Sequence, residues 1–170
     1  MSEKAFAVRP AEPGDLPAVS KLAGELVRMH HAVDPLRFLL VDRVEEGYAW
    51  WLSRQLASKD AVVLVATVAT TERPTIVGYA YGTIEPRDWN MLLDEHGAVQ
   101  DIFVAESARR GGAGGELLDA MLRALAAKGA PRVVLSTMVG NESAQRLFRS
   151  RGFRPTMLEM TREGGASGPG

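Results

Sequence analysis

Apolar residues along this chain switch between the spacing of a strand and the spacing of a helix, and each switch marks an element. Residues 5–8 alternate as a short strand, which Pro10, Pro13 and Gly14 stop, and Asp15 is placed to cap a helix. Leu16, Val19, Leu22, Ala23, Leu26 and Val27 then recur at threes and fours, one stripe of that helix. Past the turn-forming Asp34-Pro35, the residues Val41, Val44, Tyr48, Trp51 and Leu52 repeat the spacing in a second helix. Residues 61–70 and 75–84 are apolar, β-branched runs joined by the polar Thr71-Glu72-Arg73-Pro74, which predicts an antiparallel hairpin ended by Pro86.

The second half is organised around a run of glycines. A third strand over residues 97–104 leads, after a short connection, into Arg109-Arg110-Gly111-Gly112-Ala113-Gly114-Gly115, and a helix runs on to about Lys128 with Leu117, Leu118, Met121, Leu122 and Leu125 inward. Gly129 and Pro131 stop it. A strand over 132–137, a helix over 141–150 with Ala144, Leu147 and Phe148 inward, and a final strand over 153–161 complete the pattern. Strand, helix, strand around one glycine loop predicts a mixed sheet of the α/β or α+β class. One domain over residues 1–163 is expected, with a Gly-rich, disordered tail at 164–170 and no internal repeat.

Composition narrows the function classes. The 170 residues are 46% hydrophobic, enough for a single core, and 20 basic against 21 acidic residues leave a net charge of −1 that favours neither nucleic acid nor an anionic membrane. The absence of cysteine removes disulfides, thiolate zinc sites and a thiol nucleophile. The first residues lack the build of a signal peptide, and the longest apolar run, 61–69, is too short to span a bilayer. A cytoplasmic protein is expected. His30, His31 and Asp34 could hold a metal or a substrate, but no further ligand stands at an informative spacing; the histidines read better as a cation at a helix C-terminus or a packed ring, and no metal is expected.

A glycine loop that leaves a strand and opens a helix can aim several backbone N–H groups at one anion, with the helix dipole adding to the attraction. The phosphate loop of nucleotide hydrolases is excluded, because no Lys-Ser/Thr pair follows the glycines and Glu116 stands where the pattern requires Gly. A dinucleotide fingerprint would need a glycine at Leu117. What remains is Arg/Gln-x-x-Gly-x-Gly/Ala, filled by Arg109, Gly112 and Gly114 behind the strand ending Ile102-Phe103-Val104. A second block, Asn141-Glu142-Ser143-Ala144-Gln145-Arg146-Leu147-Phe148 followed by Arg151-Gly152-Phe153, lies downstream.

Together the two blocks resemble the acetyl-coenzyme A signatures of the Gcn5-related N-acetyltransferases (GNAT), and the order of elements agrees over about residues 5–162. The resemblance implies a mostly antiparallel central sheet with a splayed parallel pair, about four helices, and acetyl-CoA as cosubstrate. The pantetheine arm would lie in the splay against backbone groups of Ile102, Phe103 and Val104. Amides of Arg110, Gly111, Gly112, Ala113, Gly114 and Gly115 would hold the pyrophosphate beside Arg109, and Asn141 would reach the arm, a role compatible with capping its helix. A homodimer is a further implication, and the second partner would be an amine acceptor of unspecified identity.

The chemistry departs from the family pattern at two positions. An amine with a solution pKa near ~10.4 must lose a proton before it attacks a thioester, so a carboxylate is wanted near the splay. Where many relatives carry a glutamate this chain has Gln100, which accepts no proton; Asp101 is adjacent, but strand alternation turns it to the other face unless a bulge intervenes. Glu85 and His96 could act through water. The family's usual general acid is a tyrosine, replaced here by Phe148. A general acid contributes roughly 10²- to 10⁴-fold, so this change slows transfer before it abolishes it. Two readings therefore stand: an N-acetyltransferase, and an acyl-CoA-binding module that has lost catalysis. Tyr48, Trp50, Trp51, Tyr79 and Tyr81 could border the expected acceptor pocket, with core packing the simpler role for most of them.

Overall fold

A computed structural model describes residues 6–69 and 74–164. Its elements are β1 (Phe6–Pro10), α1 (Leu16–Val33), α2 (Val44–Leu56), β2 (Ala61–Val68), β3 (Thr75–Glu85), β4 (His96–Val104), α3 (Ala113–Ala127), β5 (Val133–Leu135) and α4 (Glu142–Ser150). The strands form one sheet in the order β1-β2-β3-β4-β5. Its first four strands are antiparallel and β4 and β5 are parallel. The expected mixed sheet with a parallel pair is thus present.

The sheet has a core on each face. Val19, Leu22, Ala23 and Leu26 of α1 and Leu52 of α2 pack with Val63, Val65, Tyr79, Tyr81 and Phe103 on one side. Leu117, Leu118, Met121 and Leu125 of α3 and Phe148 of α4 pack with Leu64, Ala66, Ala80 and Val99 on the other. Strand residues alternate between these clusters, so β2 and β3 are buried on both sides, which is why they read as continuous apolar runs. Arg9 fixes the turn into α1. It donates to both carboxylate oxygens of Asp15, at 2.6 and 2.9 Å, and Asp15 also accepts from the Glu12 amide. Asp15 holds the N-cap position of α1, but its side chain turns back to these partners and caps no amide of that helix.

Three boundaries differ from the sequence expectation. The second helix begins at Val44, after Arg43 in the left-handed region (φ 57°), so Val41 belongs to the connection and is exposed. The strand expected over 132–137 pairs only through Val133, Val134 and Leu135. The last strand does not form: residues 153–161 carry no strand pairing. Pro155 has no N–H to donate, and β5 is too short to offer a matching ladder. An ion pair between Arg37 and Glu159 ties this segment to the α1–α2 connection. The tail expected at 164–170 lies, beyond Gly164, outside the described residues.

Candidate active site

Pairing between β4 and β5 ends at Val99↔Leu135, while β4 continues to Val104 against β3. A gap therefore opens beside the second half of β4. The Ala105 amide donates to the Val77 carbonyl at 2.8 Å. Antiparallel alternation from that bond turns the backbone groups of Phe103 towards β3 and those of Ile102 and Val104 into the gap. The Val104 carbonyl already accepts from Arg109 Nε at 3.0 Å, and the Arg109 guanidinium lies over the Phe103 ring, 5.3 Å from its centroid.

The glycine loop closes the same end of the gap. Arg110 and Gly112 both take positive φ, 66° and 94°. The turn they make delivers the chain into α3 with Gly112 at the N-cap, and no side chain bonds the first helical amides. Only a residue without Cβ adopts this N-cap conformation at little cost. Arg109, Arg110, Gly111 and Gly112 are exposed, whereas Ala113 and Gly115 are buried, so the turn faces outward from a well-anchored helix. A Cβ on Gly115 would lie 2.6 Å from the Arg151 guanidinium, which reaches across to Asp119. At α4, the Asn141 side chain accepts from the Ala144 amide at 3.2 Å, so Asn141 is the helix cap.

Asp101 reaches the α1–α2 face through a bulge. In the β3–β4 ladder Tyr81 pairs with Asp101 and Gly82 with Val99, leaving Gln100 as the extra residue. Asp101 then joins Phe103 on the α1–α2 side, while Ile102 and Val104 face α3. Gln100 is exposed, and its amide donates to Thr83 Oγ1 at 3.2 Å and to Glu85 Oε1 at 3.3 Å. Glu85 also accepts from the Thr83 hydroxyl. His96 is buried, with Nδ1 2.9 Å from the Asp94 carbonyl.

Asp101 lines a cavity of about 810 Å³ between the sheet, α1, α2 and their connection. The buried Tyr79 hydroxyl donates to Asp101 Oδ2 at 3.0 Å. Burial pushes the Asp101 carboxyl above the ordinary carboxylate range, opposed by the Tyr79 hydrogen bond and the charge of His30. Tyr48 and Tyr79 are pushed upward by burial and by the Asp101 charge, so both remain hydrogen-bond donors at neutral pH. Tyr81 is pushed up to about 12, by burial and then by Glu85, and its hydroxyl donates to Gln55. Trp51 stacks edge-on against Tyr48 and Tyr81, at 5.9 and 4.7 Å, and joins Tyr48 in the cavity wall. Trp50 faces solvent.

His30 also lines the cavity, with Nδ1 2.8 Å from the Leu26 carbonyl and its ring edge-on to Phe38. His31 Nδ1 lies 2.8 Å from the Phe38 carbonyl. His30 is a packed ring at the helix end, and His31 is tied there to the α1–α2 connection. Among the described residues no group of three or more His, Asp or Glu could hold a metal ion, and no helix is long and apolar enough to cross a membrane. Phe148 is buried on the opposite face of the sheet from Asp101, edge-on to Phe153 at 6.0 Å.

A mixed sheet that splays behind β4, with a glycine loop leading into the following helix, defines the class of acyl-CoA N-acyltransferase folds. The model of the acetyltransferase (GNAT) family matches residues 28–153, and the chain belongs to that family. Its structure is similar to that of a tetramutant of the BH1408 protein from Bacillus halodurans, with a TM-score of 0.77, 20% identity, and coverage of 92% of this chain and 99% of that one. It is similar to the aminoglycoside N-acetyltransferase AAC(6')-Iy in complex with CoA, with a TM-score of 0.74, 18% identity and coverage of 94% of each chain. A putative acetyl transferase from Pyrococcus furiosus gives a TM-score of 0.69 at 21% identity, over 94% of this chain and 99% of that one. Among curated proteins no sequence matches.

Proposed function

We propose that this protein transfers an acetyl group from acetyl-CoA to a primary amine, with Asp101 as the base. Acetyl-CoA would supply the thioester. The gap beside β4 suits an extended arm bearing amides, since Ile102 and the Val104 N–H point into it, and the uncapped N-terminus of α3 suits a pyrophosphate. In this reading Arg110, Gly111, Gly112, Ala113, Gly114 and Gly115 face the phosphates, Arg109 braces the end of β4, and Asn141 borders the gap while capping α4. The observation that carries the proposal is the bulge at Gln100, which sets Asp101 on the acceptor side of β4, just past the point where β5 leaves.

Asp101 takes one proton from the bound ammonium, and the neutral nitrogen attacks the thioester carbon. The C–N bond forms, the nitrogen gives its second proton to solvent, the C–S bond breaks, and coenzyme A leaves as the thiolate, which solvent protonates as Asp101 returns its proton to water. A carboxyl held above its usual range is a stronger base than a solvated one. Tyr79 holds it in place.

Thiol release from acetyl-CoA, measured against a panel of amines that includes aminoglycosides, tests the reading; cofactor binding without release for any acceptor would sink it. That outcome belongs to the second reading, a non-catalytic acyl-CoA-binding module, which Gln100 and the buried Phe148 favour. We further propose a cytoplasmic homodimer. The exposed apolar side chains of Met157, Leu158 and Met160 support the dimer.

A further inference from the structure

Building on the acetyl-transfer reading, we infer that the acceptor is a monoamine with an apolar body, seated in the cavity under α1 and α2 with its nitrogen at Asp101. The cavity, about 810 Å³, is of the size that encloses a small molecule. Leu26, Val44 and Trp51 wall it on the helix side and Phe38, Leu39 and Val41 on the side of the α1–α2 connection. Leu39 and Val41 are 72% and 54% exposed, so an apolar body in the cavity would cover side chains that water now touches.

Charge restricts the ligand further. Among the described lining residues Asp101 is the one carboxylate, and His30 and Arg37 face the same space, with Arg37 paired to Glu159. One ammonium finds a partner at Asp101. A second or third ammonium on the same ligand would meet His30, Arg37 and apolar walls, with no further carboxylate among the described lining residues to pair with. A single amine on a carbon frame satisfies the charge and the walls together; a polyamine satisfies neither.

The test uses the full chain, following tryptophan fluorescence, to which Trp51 in the cavity wall reports, and titrating n-alkylamines from propylamine to hexylamine, then spermine. Coenzyme A is titrated in parallel by calorimetry. Affinity is expected to rise about fourfold per added methylene, the increment for moving one CH₂ out of water. Hexylamine should bind more tightly than spermine, Asp101→Asn should weaken every amine, and Leu39→Glu, at an exposed position, should flatten the series with coenzyme A affinity kept. A flat series, or spermine binding more tightly than hexylamine, in a chain that still binds coenzyme A overturns the acceptor class and leaves the transfer reading standing. Failure to bind coenzyme A overturns both.

Discussion

Asp101 is held between opposing influences. Burial raises its pKa above 3.8, and the Tyr79 hydroxyl and His30 act in the other direction without cancelling the rise. The folded chain therefore binds this proton more tightly than the unfolded chain. Its contribution to stability is present below the ordinary carboxylate range and is lost as pH rises through the folded value, so at neutral pH the ionised carboxylate weakens the fold. Asp101→Asn should unfold at a higher denaturant midpoint than the wild type at pH 7, with the difference closing towards pH 3. Transfer should fall about 10²- to 10⁴-fold in the same variant. A variant less stable than the wild type at pH 7 would mean that the Tyr79 contact outweighs burial. The rising limb of kcat/KM should also lie above the usual carboxylate range.

Phe148 presents the converse case, an apolar ring where the family resemblance implies a tyrosine. The ring is buried among Leu117, Leu118 and Met121, so a tyrosine hydroxyl there must find an acceptor along the gap or cost about 1–3 kcal/mol. Phe148→Tyr is expected to raise the single-turnover rate with coenzyme A affinity unchanged, and any loss of stability should stay within that range. Unchanged or slower transfer in a variant that is fully folded by circular dichroism would remove the leaving-group role from this position.

At the scale of elements, α3 depends on the two left-handed residues that introduce it. Gly112→Ala places a Cβ at φ 94°, where open space removes any clash and leaves only backbone strain, about 1–2 kcal/mol. The expected result is a lower urea midpoint together with weaker coenzyme A binding, because the same turn aims the amides of the loop; unchanged affinity would separate the turn from the binding site. This loop, the β2–β3 hairpin and α3 were legible in the sequence because each is set by local signals: turn residues, β-branched runs and a helical stripe. The position of Asp101 was legible only as a condition. A bulge is a two-against-one count between strands, decided by how Tyr81 and Gly82 meet Val99 and Asp101, and no single strand records it. The last strand was misread for a related reason, since Phe153, Met157 and Met160 have the apolar character of a strand but β5 supplies no ladder for them. Tyr48 and Trp51 read correctly as packed residues, yet the same stripe that packs them against the sheet also turns them to the cavity.

For the whole molecule, the arrangement leaves one side incomplete. Three residues of β5 form the end of the sheet, and their outer N–H and C=O groups face away from β4. Beyond α4, residues 153–161 carry no strand pairing and expose Met157, Leu158 and Met160. Large apolar side chains left in water this close together in sequence support an association surface. The chain is accordingly expected to sediment at twice 18.4 kDa. Leu158→Glu with Met160→Glu, both at exposed positions, should shift it to the single mass by placing unpaired charges in the contact, while coenzyme A affinity stays unchanged because the glycine loop lies on other elements. Wild-type protein that sediments as a single chain at micromolar concentration, or a double variant that still sediments as two, would assign the exposed methionines no part in assembly.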